Sequence, residues 1–113
     1  MIHASSFKIH TELDAGAARA TLVGELDIAT VPRAEHAIDA LLKDGARSLV
    51  IDLSDISFID SSGLRLFIAL NDRAASEGFE LGLIRPTDRS LAVFQITGAE
   101  QNLPFVDDSE GAP

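Results

Sequence analysis

Along residues 6–106 the apolar side chains switch back and forth between a period of two residues and one near 3.6, and this alternation narrows the fold more than any other feature. A period of two marks a strand with one covered face; the longer period marks a helix with one apolar stripe. Ser6 to Leu13 sets Phe7, Ile9, Thr11 and Leu13 against Lys8, His10 and Glu12, which predicts a half-buried first strand. Asp14-Ala15-Gly16 supplies turn residues and Ala18 to Val23 resumes the extended pattern, so the first two strands form a hairpin. Gly24-Glu25-Leu26-Asp27 then leads out of the second strand.

Thr30 predicts a helix cap, with Pro32 in the first turn, where a missing N–H costs little. Ala34, Ala37, Ile38, Leu41 and Leu42 follow at helical spacing until Gly45, with Lys43 in the last turn. Ser48 to Leu53, centred on Leu49-Val50-Ile51, reads as a central strand covered on both faces. The helical period returns from Ser62 to Glu77, and Phe79 to Ile84 forms a short strand between Gly78 and Pro86. Thr87 or Asp88 caps a third helix that carries Leu91, Phe94 and Ile96 and ends at Gly98. Phe105-Val106 is a last, brief strand, and residues 108–113 form a frayed acidic tail beyond a core of about 6–107.

The order is therefore ββαβαβαβ. It predicts an α/β fold with a mixed sheet, begun by an antiparallel hairpin and continued by mainly parallel strands packed by helices. The 113 residues fit one domain, 1–113. Eighteen acidic residues against nine basic ones leave a net charge of -9, which repels phosphate backbones and anionic lipid heads, so neither nucleic acid nor a membrane is an expected partner. The longest apolar runs, Leu49 to Ile51 and Leu66 to Leu70, fall far short of the roughly 20 residues of a membrane-spanning helix. Met1 to Lys8 lacks the basic start and apolar run of a secretory signal, which gives a cytoplasmic expectation. The absence of cysteine excludes disulfides and thiolate metal sites and leaves the compartment open.

The stretch Asp60-Ser61-Ser62-Gly63 stands out against this background. On a helical wheel Leu64, Phe67, Ile68, Leu70, Ala74 and Ala75 share the face toward the sheet, with Asn71 near its middle as a buried amide satisfied by a neighbouring backbone group. Ser62 projects to the opposite side with Arg65, an exposed Leu66, Ala69 and Arg73, while Ser61 lies nearer the border. The plain reading of Asp60, Ser61 and Ser62 is a set of caps for the first free N–H groups of the helix. The alternative is a modification site, with Gly63 removing a side chain beside the serines. A phosphate on Ser62 would meet the positive end of the helix dipole and Arg65, whereas a partner docked there would meet a new dianion beside Asp60 and Asp27.

A catalytic serine fits less well. The chain lacks a G-x-S-x-G elbow, and its only histidines are His3, His10 and His36, the latter two predicted on the surface of the first strand and first helix. Neither metal-ligand spacing nor a phosphate-binding loop is present, and no cofactor is expected.

Three segments resemble the STAS domains, in particular the bacterial anti-sigma factor antagonists. "GELDIATVP" (Gly24 to Pro32) is similar to the family's G-E-L-D-x-x-T-x-P segment, "LVIDLSDISFIDSSGLRLF" (Leu49 to Phe67) to its strand and phosphoacceptor motif, and "FQITGAEQNLPFVDD" (Phe94 to Asp108) to its third helix and last strand. The resemblance implies a STAS-like mixed sheet and a protein that binds an anti-sigma factor with a serine kinase fold, thereby freeing a sigma factor. It implies that the kinase then phosphorylates the antagonist from ATP and that a metal-dependent serine phosphatase reverses this. Carried onto this chain, the phosphoacceptor is Ser62, with Ser61 as the alternative. Asp60 opens the motif, Asp27 matches an acidic position near it, and Gly63, Arg65 and Leu66 complete the expected partner surface. Only "DDSEGAP" follows the last strand, so the family's longer final helix is expected to be short or missing. The second reading is an accessory subunit of a lipid-transport complex of the ABC type, in which the serines only cap.

Overall fold

A computed structural model describes residues 7–107; the expected tail, 108–113, and Ser6 and His3 lie outside the described residues. Strands β1 (Lys8–Asp14), β2 (Ala17–Leu26), β3 (Ser48–Ile59), β4 (Glu80–Ile84) and β5 (Phe105–Val106) form one sheet in that order. The β1–β2 pair is antiparallel and the others are parallel. Helices α1 (Val31–Lys43), α2 (Ser61–Glu77), α3 (Asp88–Ile96) and α4 (Ala99–Asn102) make the crossovers. The mixed sheet and its opening hairpin are as the periodicity predicts. The added α4 is a single turn begun by Gly98 at φ +77°, so the order is ββαβαβααβ.

The sheet carries its helices on one face. Ala18, Ala20, Leu22 and Leu26 of β2 and Leu49, Ile51 and Leu53 of β3 are buried there with Ala34, Ile38, Phe67, Leu70 and Phe94. The other face is only half-buried, with Val50 and Asp52 in the centre of it. This corrects the expectation that β3 is covered on both sides. Val50 is apolar because of its neighbours within the sheet: Gly82 stands opposite it, and a Cβ there would lie 3.8 Å from Val50 Cγ2 and 3.2 Å from Val106 Cγ2. Close packing in the plane of the sheet leaves the same trace in sequence as a second helical layer.

Both β2 and β3 run further than their patterns suggest. Gly24, at φ +104°, does not end β2, because the ladder steps over it through irregularities between Thr21 and Val23 and between Gly24 and Glu25. On the β3 side the buried residues become Leu53, Ile56 and Ile59, two outward residues separating each pair. Bulges break the two-residue period and re-aim side chains. They return Ile59 to the core and turn Phe58 outward, half-exposed.

Asp52 sits on the half-open face with Arg19, whose Nη2 donates to Oδ2 at 2.8 Å. Burial pushes the Asp52 carboxyl up, but hydrogen bonds from the Ser54 hydroxyl and amide, joined by Arg19, outweigh it and hold the group below the usual carboxylate value. A depressed native pKa adds stability that is present above the unfolded value, near 3.9, and is lost as pH falls through the native one. In urea titrations, the stability gap between the native protein and Asp52→Asn is expected to hold from pH 7 to about 5 and to close toward pH 3. A gap constant down to pH 3 would mean that the carboxylate's charge contributes nothing.

Candidate functional site

The site forms where two parallel strands end side by side. Leu26 of β2 pairs with Ile59 of β3, and the Asp60 N–H donates to the Leu26 carbonyl at 3.2 Å, so Asp27 and Asp60 leave the sheet as neighbours. Ligand and partner sites favour this carboxyl end of parallel strands.

Each aspartate builds the backbone that follows it. Asp27 Oδ1 accepts from the N–H groups of Ala29 (2.9 Å) and Thr30 (3.1 Å), closing a tight turn, and its own N–H donates to Thr30 Oγ1 at 2.9 Å. Thr30 occupies the N-cap position of α1, but its buried hydroxyl donates back to the Glu25 carbonyl at 2.8 Å and caps no helical N–H. The expected Thr30 cap is therefore a loop staple. Asp60 is the N-cap of α2: its Oδ1 accepts from Ser62 N–H at 2.8 Å and Gly63 N–H at 3.3 Å. A carboxylate cap of this kind is worth about 1 kcal/mol.

This geometry separates the two roles that the sequence leaves open for the serines. Ser62 gives its N–H to the Asp60 cap, while its hydroxyl has no hydrogen-bond partner among the described residues. Ser61 is exposed and Ser62 half-buried, the reverse of the order from the helical wheel. Capping residues lack helical dihedrals, so a wheel extended backwards through them misplaces the first turn.

Gly63 answers to the core. A Cβ there would lie 2.7 Å from Ile59 Cγ1 and 3.1 Å from Leu26 Cδ2, so the first turn of α2 rests directly on the ends of β2 and β3. Leu66 is a correction: it is buried, not exposed, because α1 lies beside α2 and Leu66 packs into the seam with Glu35, Ile38, Asp39 and Leu70. Arg73 ties this seam, with Nη1 2.7 Å from Asp39 Oδ1 and Nε 3.0 Å from Glu77 Oε2. Those hydrogen bonds, donated to Glu77 first and Asp39 second, raise its pKa. Ile68 and Ala75, placed on the sheet side by the wheel, are exposed instead. Asn71 is half-exposed rather than buried, although its Nδ2 does donate to a backbone group, the Asn102 carbonyl, at 3.4 Å. Arg65 is exposed one turn beyond Ser62.

Two exposed apolar side chains that the sequence reading missed lie near the ends of β2 and β3. Ile28, at the tip of the Asp27 turn, is 77% exposed, and Phe58, turned out by the bulge, is 50% exposed. Ile28 was legible from its place inside a tight turn; Phe58 was not, since its direction depends on a register shift. His10 and His36 are exposed, as expected. Among the described residues no helix is long and apolar enough to cross a membrane.

Fold and site together define a small α/β module with unbonded serine hydroxyls at the start of α2 and exposed apolar residues near the ends of β2 and β3. The chain belongs to the STAS domain family, whose profile matches residues 8–112. An anti-sigma-B factor antagonist of Staphylococcus aureus (strain NCTC 8325 / PS 47) is 36% identical over 75 residues, 66% of this chain and 69% of that protein. The crystal structure of an anti-sigma factor antagonist from Mycobacterium paratuberculosis matches with a TM-score of 0.80 and 27% identity, over 94% of this chain and 91% of that one. The anti-sigma factor antagonist SpoIIAA in its unphosphorylated form matches at a TM-score of 0.74 and 23% identity over 91% of each chain. Its phosphorylated form, described as a Bacillus cell fate determinant, matches at 0.67 and 23% over 91% of this chain and 95% of that one.

Proposed function

We propose that this protein is an anti-sigma factor antagonist. With the Ser62 hydroxyl free it binds an anti-sigma factor of serine kinase fold, and so releases a sigma factor. Phosphoryl transfer from ATP to Ser62 switches it off, and a serine phosphatase restores it. In this cycle the chain is a substrate and a binding partner, and the catalysis belongs to the other proteins.

The observation that carries this reading is the Ser62 hydroxyl. Asp60 does the capping with its own carboxylate, so the structural explanation for a serine here accounts for Ser62 N–H and leaves the Oγ without a task. The surroundings suit a reversible interface. Ile28 and Phe58 offer apolar area for an unphosphorylated contact. A phosphate would add a charge of about -1.5 to -2 beside Asp60 and Asp27. The names of the Staphylococcus and Mycobacterium relatives point the same way, and the same fold is known with and without phosphate in SpoIIAA.

Incubation with ATP and the candidate kinases of its own cell, followed by mass spectrometric mapping, tests the proposal. Phosphate is expected on Ser62 and is expected to vanish in Ser62→Ala. Phosphate on Ser61 alone would move the acceptor by one residue. Modification of neither serine would favour the transport-subunit reading, in which these residues are structural.

A further inference from the structure

Strand β1 is the first strand of the sheet, and its outer edge pairs with no strand among the described residues. Six of its seven residues are exposed, Ile9 being the exception. An open edge of this length presents unpaired N–H and C=O groups and is a template for another strand. Natural sheets blunt such edges with charge, and like charges would forbid self-pairing. The charges on β1 do the opposite.

The strand reads Lys8-Ile9-His10-Thr11-Glu12-Leu13-Asp14. We infer that it pairs antiparallel with β1 of a second copy, about a twofold axis at Thr11, to join two sheets into one. In that register Lys8 faces Asp14 of the other copy, Ile9 faces Leu13, His10 faces Glu12 and Thr11 faces itself. The two faces agree as well. Ile9, Thr11 and Leu13 stand opposite Leu22, Ala20 and Ala18 of β2, on the helix-covered side, while Lys8, His10, Glu12 and Asp14 stand on the open side. Apolar residues would thus meet beside the helices, and opposite charges would meet on the open face.

Neighbouring registers lose this match. A slip of one residue sets Ile9 against Glu12 and Lys8 against Leu13, mixing the faces. A slip of two in one direction sets Glu12 against Glu12; in the other it keeps Lys8 opposite Glu12 but sets His10 against His10 and leaves Leu13 and Asp14 beyond the end of the other β1. Opposite charges directly across a strand pair stabilise it and like charges destabilise it. A second copy of this chain is therefore the occupant that fits the edge, and the pairing needs nothing from Ser62.

The native chain has no cysteine, so Thr11→Cys places one thiol per copy on the axis. The full chain is expected to sediment as a concentration-dependent dimer, and Thr11→Cys to form a disulfide-linked dimer under mild oxidation. Ile9→Cys is expected to stay unlinked, because its two copies would lie about 14 Å apart, beyond disulfide reach. Lys8→Glu is expected to raise the dissociation constant about ten-fold by creating two like-charge pairs, and Lys8→Glu with Asp14→Lys to restore it. Sedimentation as a monomer up to about 1 mM would overturn the inference. So would equal cross-linking at residues 9 and 11, or a charge swap that fails to restore the dimer.

Discussion

Ser62→Asp is expected to weaken binding to the anti-sigma factor about 100-fold or more, while Ser62→Ala binds as the native protein does. Like charges brought together in an interface cost several kcal/mol, and each 1.4 kcal/mol is a factor of ten. The aspartate would sit beside Asp60 and Asp27 at the joined strand ends, where a docking partner must desolvate all of them together. The fold itself should not suffer. An acidic residue in the first turn of a helix interacts favourably with the dipole, so the melting temperature of Ser62→Asp is expected to match or slightly exceed that of Ser62→Ala. Titration calorimetry against the purified anti-sigma factor reads the first effect, and a thermal scan the second. Equal affinities for the two variants would leave the switch without a basis.

Phe94→Ala is expected to cost about 3–5 kcal/mol, a large share of the stability of a domain this size. Phe94 is fully buried, its ring 6.3 Å from that of Phe67 in α2 and 5.4 Å, edge to face, from that of Phe105 in β5. It joins α3, α2 and the last strand, three elements with few other means of holding together. Truncation loses the transfer energy of the ring and leaves a cavity that these rigid neighbours cannot close. Ile96, two residues on and 85% exposed, supplies the control: Ile96→Ala is expected within about 0.5 kcal/mol of the native protein. Urea denaturation measures both. A Phe94 variant less than about 1 kcal/mol destabilised would show that the site collapses around the missing ring.

Local signals carried most of the architecture. The turn at Asp14-Ala15-Gly16, the stop at Gly45 and the brief Phe105-Val106 strand are set by residues within a few positions of each other, and all appear where the pattern puts them. Ile96 misled because it stands two residues from Phe94, off the buried side of α3. The errors over Leu66 and Ile68 share one cause. A helical wheel finds an apolar stripe, but the position of α1 beside α2 decides which flank of that stripe is covered, and no property of α2 alone encodes it. The bulges of β3 are similar: Phe58 looks like a core residue until the ladder with β2 skips a step. At the site, the sequence brought Asp60, Ser61 and Ser62 together as consecutive residues, whereas the nearness of Asp27 had to come from strand pairing. The assignment of the cap to Asp60 rather than a serine is a matter of side-chain geometry that composition leaves undecided.

The contact of Gly63 with Ile59 and Leu26 bears on how a phosphate on Ser62, as proposed, would be read. The start of α2 is seated directly on the ends of two strands, so a phosphoryl group added at Ser62 would be expected to leave it in place. The free and modified proteins would then share one shape, and a partner would tell them apart by touch, through charge and bulk at a single spot, with no rearrangement relayed across the domain.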